Sequence, residues 1–304
     1  CGMEVSLQDL SKEAIEKGIA AQGKLFSRKF KTKPERDAAK TRLIADPEGQ
    51  HISRADVVIE AIVEKLEAKQ SLLKSIEGRL KQGAVLATNT SSIMIEDIAA
   101  ALTAPGRLVG IHFFNPVALM PLVEVIRGVG TRQEAIDKGC AFVARIEKFP
   151  LVVKSVPGFL VNRVLAPYMF EAMSRVEKGE DMEKIDEAAK SFGMPMGPIE
   201  LADTVGLDVC AHVGRILKGN IDGSKLDQMV KAGKLGKKSG QGFYTWKDGK
   251  PVRSTNKNFN AADLETMGKA LVAPLIAEAE RCRDERVVES ADLVDAGVIF
   301  GTGF

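Results

Sequence analysis

The chain has 304 residues, 45% hydrophobic and 28% charged, with a formal net charge of +2. That length accommodates two domains with ample apolar content for their cores, and the near-balanced charge gives no electrostatic case for a nucleic-acid partner. No apolar run approaches the roughly 18 residues needed to span a bilayer, and no signal-peptide pattern is seen.

Four cysteines, Cys1, Cys140, Cys210 and Cys282, lie far apart with no C-x-x-C pair. They argue against a zinc site or a disulfide framework and fit a reducing compartment, a bacterial cytoplasm or an organelle matrix. The chain opens on Cys1-Gly2 directly before a strand and stops on Gly301-Thr302-Gly303-Phe304, so it reads as an excerpt of a longer polypeptide.

In chain order, Met3–Leu7 reads as a strand ending near Asp9. Ser11 then caps an amphipathic helix with Ile15, Ile19, Phe26 and Phe30 on one face. A basic stretch follows, with Lys24, Arg28, Lys29, Lys31, Lys33 and Arg36. A strand at Ala55–Ile62, a helix carrying Leu66, Leu73, Ile76 and Leu80, and a strand at Ala84–Thr88 come next. A short helix with Ile95, Ile98 and Leu102 leads into an apolar strand around His112. A helix at Gln133–Ile146 and a strand at Leu151–Lys154 complete this half, and the alternation predicts βαβ units on a parallel sheet.

From Pro157 the texture is nearly all helical. Phe159–Val176 is apolar on most sides, with a bend expected at Pro167. Helices are expected at Ile185–Phe192, Ile199–Leu217 and Ala261–Arg283, with a polar hairpin around Asp248-Gly249. Ala166-Pro167 and Glu171-Ala172 recur as Ala273-Pro274 and Glu278-Ala279, at an offset of 107, which points to a diverged helical repeat. The expected fold class is therefore an α/β Rossmann-type parallel sheet domain, N-terminally truncated, followed by an all-α domain with a partial internal repeat. The boundaries are 1–155, 156–250 and 258–304.

Candidate chemistry gathers in Arg107–Gly128, where two apolar runs flank a proline-bounded turn and each carries one ionisable residue, His112 and Glu124. Paired across adjacent strands, they would be a general base held by an acidic partner. Taken singly, His112 also reads as a satisfied core group, but a second ionisable group in an apolar strand needs a partner. Asp9 stands where a dinucleotide fold places its ribose-binding carboxylate, or serves as a helix cap. The G-x-G-x-x-G loop expected ~20 residues upstream of that acid lies outside the chain. Glu60, Glu64 and Lys69 follow the second strand of the half, and Thr88-Asn89-Thr90-Ser91-Ser92 follow the third. Asn115 suits a turn beside Pro116, and Asn162, inside a buried helix, needs hydrogen-bond partners.

Several stretches together resemble L-3-hydroxyacyl-CoA dehydrogenases: GIHFFNPVALMPLVEVIRG, ATNTSS, VVIEAIVEKLEAK, VPGFLVNR and GMPMGPIEL. The similarity runs from Met3 to about Trp246. It implies oxidation of L-3-hydroxyacyl-CoA to 3-ketoacyl-CoA with NAD in fatty-acid β-oxidation. It makes His112 the catalytic base, Glu124 its orienting carboxylate, and Ser91 and Asn162 partners of the substrate oxygen. It places Asp9, Ile62, Val63, Glu64, Lys69, Ser91 and Asn115 at NAD-contacting positions and the basic stretch near the CoA nucleotide, where a solvated helix face is an equal reading.

The repeated helices resemble the multifunctional fatty-oxidation proteins. This implies an upstream hydratase domain or a thiolase partner in the parent and an acyl-CoA thioester as substrate. Three alternatives stay open: a structural relative such as a lens crystallin, a dehydrogenase of free hydroxy acids, and an excerpt that binds NAD weakly without the glycine loop.

Overall fold

A computed structural model describes residues 2–254 and 257–304. The first strand, β1 (Val5–Leu7), feeds helix α1 (Lys12–Lys29), whose N-cap is Ser11, its hydroxyl accepting from the Ala14 amide. The basic stretch, read from sequence without an element of its own, continues into helix α2 (Lys33–Thr41) and strand β2 (Leu43–Ala45). The start of α2 was legible: Thr32 and Glu35 form a reciprocal capping box with Pro34 in the first turn. Strands β1 and β2 pair in parallel.

The main sheet is built from β3 (Val57–Glu60), α3 (Leu66–Glu77), β4 (Val85–Thr88), α4 (Ile95–Ala99), β5 (Leu108–Phe113), β6 (Leu122–Arg127), α5 (Gln133–Arg145) and β7 (Phe149–Lys154). Its strand order is β3-β4-β5-β6-β7. The sheet is parallel, as expected, except at one step: β5 and β6 are antiparallel. The turn between them is too short for a crossover, so only antiparallel pairing is open to them. Among the described residues, β1 pairs only with β2 and β3 only with β4, so the strands form two separate sheets. The centre of the larger sheet is sealed, with Leu86, Leu108, Val109, Ile111, Val123, Val125 and Ile126 buried. The near-continuous apolar runs of β4, β5 and β6 reflect cover on both faces.

The helical half contains α6 (Val161–Glu177), α7 (Met182–Phe192), α8 (Pro198–Val205), α9 (Leu207–Lys218), α10 (Lys225–Lys231), the hairpin β8 (Trp246–Lys247) and β9 (Lys250–Pro251), α11 (Ala261–Asp284) and α12 (Ala291–Thr302). Helix α6 begins two residues later than expected and runs through Pro167. The single helix expected over Ile199–Leu217 is broken at Gly206, whose φ of +109° caps α8 and opens α9. Among the described residues, no helix is long and apolar enough to cross a membrane.

Two buried aspartates tie this half together. Asp203 accepts hydrogen bonds from the amides of Phe243 and Tyr244 and from Trp246 Nε1, at 2.9, 2.8 and 2.9 Å. A Cβ at Gly242 would collide with the Asp203 carboxylate, which explains the glycine there. Asp186 accepts from the Ile199 and Glu200 amides and from Tyr244 Oη, with Arg253 alongside.

Burial pushes the Asp186 carboxyl up to about 6, against the pull of Tyr244, the two amides and Arg253. Folding raises this pKa, so between its unfolded value and about 6 the native state holds the extra proton. The stabilisation from that proton is present in acid and is lost as pH rises through this window. A carboxyl 13C titration of Asp186 is expected to show a midpoint near pH 6; a midpoint below 4 contradicts it.

Candidate active site

The antiparallel step places His112 directly opposite Glu124 in register. His112 is 6% exposed and Glu124 is fully buried. Their side chains meet at 2.7 Å between Nδ1 and Oε2. A carboxylate only accepts, so the imidazole proton sits on Nδ1 and the lone pair of Nε2 is left open. Among the described residues Nε2 has no partner. Phe114 and Phe159 stand edge-on to the ring at centroid distances of 4.7 and 5.6 Å and hold its plane.

The second Glu124 oxygen, Oε1, accepts from the backbone amides of Leu160 and Val161, both at 3.0 Å. These amides belong to the start of α6, where unpaired N–H groups favour a negative charge. One carboxylate thus joins the base on β5 to the helix that carries Asn162. The chain enters α6 through Gly158 (φ +76°) and Phe159 (φ +54°), the latter a left-handed non-glycine residue buried against His112. Such strain at about 1–3 kcal/mol persists where the surroundings over-determine it.

The parallel strands β3, β4 and β5 end on one edge of the sheet, beside the dyad. Lys69 is fully buried, its Nζ 2.8 Å from Glu60 Oε1 and 3.1 Å from Glu64 Oε2. Glu60 also accepts from Thr88 Oγ1 and the Ile62 amide. Glu64 Oε1 accepts from Thr90 Oγ1 and the amides of Ser91 and Ser92 at 2.6, 2.7 and 3.2 Å, with the Ser91 hydroxyl at 3.2 Å. Burial pushes the Glu64 carboxyl up, but Thr90, the Lys69 charge and the Ser91 amide outweigh it and hold the carboxyl below its ordinary range. Asn89 Oδ1 accepts from the Phe113 amide, joining this loop to the strand of His112.

Residues 1–156 match the family model described as 3-hydroxyacyl-CoA dehydrogenase, NAD binding domain, and residues 158–246 match that of its C-terminal domain. The chain belongs to the 3-hydroxyacyl-CoA dehydrogenase family. This is a family of NAD-dependent oxidoreductases. The chain is 36% identical over 329 residues to the fatty acid oxidation complex subunit alpha of Pseudomonas entomophila, covering 100% of this chain and 46% of that protein. It thus spans about half the length of the curated relatives it matches.

Two solved structures extend the likeness. A (S)-3-hydroxybutyryl-CoA dehydrogenase from Ralstonia eutropha has 35% identity and a TM-score of 0.72, covering 81% of this chain and 92% of that one. A 3-hydroxybutyryl-CoA dehydrogenase from Escherichia coli has 26% identity and a TM-score of 0.84, covering 99% and 84%.

Against this family background, the sequence-derived residues fall into groups. His112 and Glu124 touch, and Glu64, Lys69 and Ser91 form one network. Asn162 lies in the first turn of α6, partly buried, with no side-chain hydrogen bond among the described residues. Ile62 and Val63 are 41% and 63% exposed just past β3, an apolar surface of the kind a flat heteroaromatic ring covers. Asp9 is exposed past β1, with Oδ1 accepting from the Ser11 amide, so it also helps to cap α1. Asn115 is exposed at the turn after β5.

Sequence reasoning missed the Leu160 and Val161 amides, because backbone donors leave no mark in residue type. It also missed that Glu64 organises residues 90–92, although five consecutive small polar residues were the available signal.

Proposed function

We propose that this chain oxidises L-3-hydroxyacyl-CoA thioesters to 3-ketoacyl-CoA as the dehydrogenase portion of a longer fatty-oxidation protein. The observation that carries the proposal is the buried His112–Glu124 pair with Nε2 left open. His112 Nε2 takes the proton of the 3-hydroxyl, and Glu124 holds the ring and stabilises the imidazolium that forms. Asn162 and Ser91 hydrogen-bond the substrate oxygen.

The residues at the strand ends fit a nicotinamide dinucleotide: Ile62 and Val63 offer apolar cover, and Asp9 keeps Oδ2 free among the described residues. With them, Glu64, Lys69, Ser91 and Asn115 would hold NAD. When bound, NAD accepts the hydride released from C3. Lys69 acts from beneath, since its ammonium is engaged by Glu60, Glu64 and the Ile62 carbonyl. In the whole protein a hydratase domain or a thiolase partner would supply or consume the thioester, in the cytoplasm or an organelle matrix.

The division at 1–155, 156–250 and 258–304 belongs to the same reading, with the last unit a partial second copy of the helical domain. Both α6 and α11 contain an internal proline, Pro167 and Pro274, and they pack against each other.

The test compares NADH oxidation with acetoacetyl-CoA and with free acetoacetate, using the longer protein. Turnover of the thioester alone is expected; equal turnover of the free acid overturns the substrate assignment.

A further inference from the structure

The last helix, α12, lies outside the residues matched by the two family models. It nevertheless packs on the first turn of α6 and on β6, the strand that carries Glu124. Gly297 faces Leu160 and Leu151, and Gly301 faces Val161 and Leu122, with no room for a side chain at either position. A Cβ at Gly301 would lie 2.5 Å from Val161 Cγ2 and 2.8 Å from Cγ1. Leu160 and Val161 are the two residues whose amides hold Glu124 Oε1. All four facing side chains are at most 3% exposed.

The same turn is also tied to α11 and the residue that follows it. Arg163 donates to Glu278 of α11 at 2.7 Å and to both Glu285 oxygens at 2.7 and 3.0 Å. The Lys154 amide at the end of β7 donates to the Val287 carbonyl in the α11–α12 connection.

We propose that the glycine face of α12 is a positioning element for the His112–Glu124 dyad, setting the depth at which the Leu160 and Val161 amides meet Glu124. The two glycines differ in expected consequence. A methyl at Gly297 meets mainly leucine side-chain ends that can rotate. A methyl at Gly301 meets a β-branched Val161 that is stiff about χ1, so the strain passes into the backbone that donates to Glu124.

The kinetic arm rests on the dehydrogenase reading, whereas a spectroscopic arm does not. With only three histidines, His51, His112 and His212, the His112 Nδ1–H proton can be assigned by NMR in this chain whether or not it turns over a thioester. In Gly301→Ala the resonance is expected to move upfield as the Glu124 contact loosens. In the longer protein kcat is expected to fall about 10-fold, with the KM for thioester within about twofold, as for a small misplacement of a catalytic group. Adding Val161→Ala, which vacates the space the new methyl needs, is expected to restore both. Gly297→Ala is expected to give the smaller change.

A folded Gly301→Ala protein with an unmoved resonance overturns the proposal, as does a shift that Val161→Ala fails to reverse. Should Gly301→Ala not fold, the double variant decides. A wild-type resonance supports the proposal, while a displaced one, or failure to fold, overturns it.

Discussion

Glu124→Gln is expected to lower kcat roughly a thousandfold or more while leaving the protein folded. Glu124 Oε1 faces two backbone donors and Oε2 faces His112 Nδ1. A glutamine has one acceptor oxygen, and two helix amides compete for it, which turns its NH2 toward the imidazole. Nδ1 must then accept, so the ring proton moves to Nε2 and the base loses the lone pair it needs. Steady-state rates with acetoacetyl-CoA, together with 15N shifts of the His112 ring, report both halves of this argument. A variant within about threefold of wild type with the tautomer unchanged contradicts it.

Lys69→Met is expected to cost about 3–5 kcal/mol of stability, the range for removing one partner of a buried ion pair. Lys69 and Glu60 expose 1% and 0% of their side chains, so the substitution strands a buried carboxylate with only Thr88 Oγ1 and the Ile62 amide as donors. Adding Glu60→Gln is expected to recover part of the loss, because the fully buried one of the two carboxylates paired with Lys69 is then neutral, while Glu64 stays charged but is 21% exposed. Urea unfolding of the single and double variants measures both. A single variant that loses less than about 1 kcal/mol shows that the pair adds little to folding.

The order of the elements was legible wherever one period dominated the sequence. The apolar runs of β4, β5 and β6 and the cap at Ser11 read directly. What failed were places where the deciding interaction lies outside the local pattern. β2 is three residues long and takes its identity from β1 beside it. The break at Gly206 depends on its left-handed backbone, which a single glycine in a helical pattern does not announce.

At the site, the facing of His112 and Glu124 followed from the proline-bounded turn between two apolar runs. The assignment of a reaction did not: it came from the likeness of whole segments to a family. The support behind Glu124 was illegible for a physical reason. Amide donors are common to every residue type, and the helix pressing on them begins 130 residues after Val161.

The most direct test of the account is the rate of NADH oxidation with acetoacetyl-CoA by the longer protein carrying His112→Gln. Glutamine approximates the size of the imidazole but cannot act as a base near neutral pH. A fall of about 10²- to 10⁴-fold is expected, with NADH affinity retained. A rate equal to wild type contradicts it and removes His112 from the mechanism.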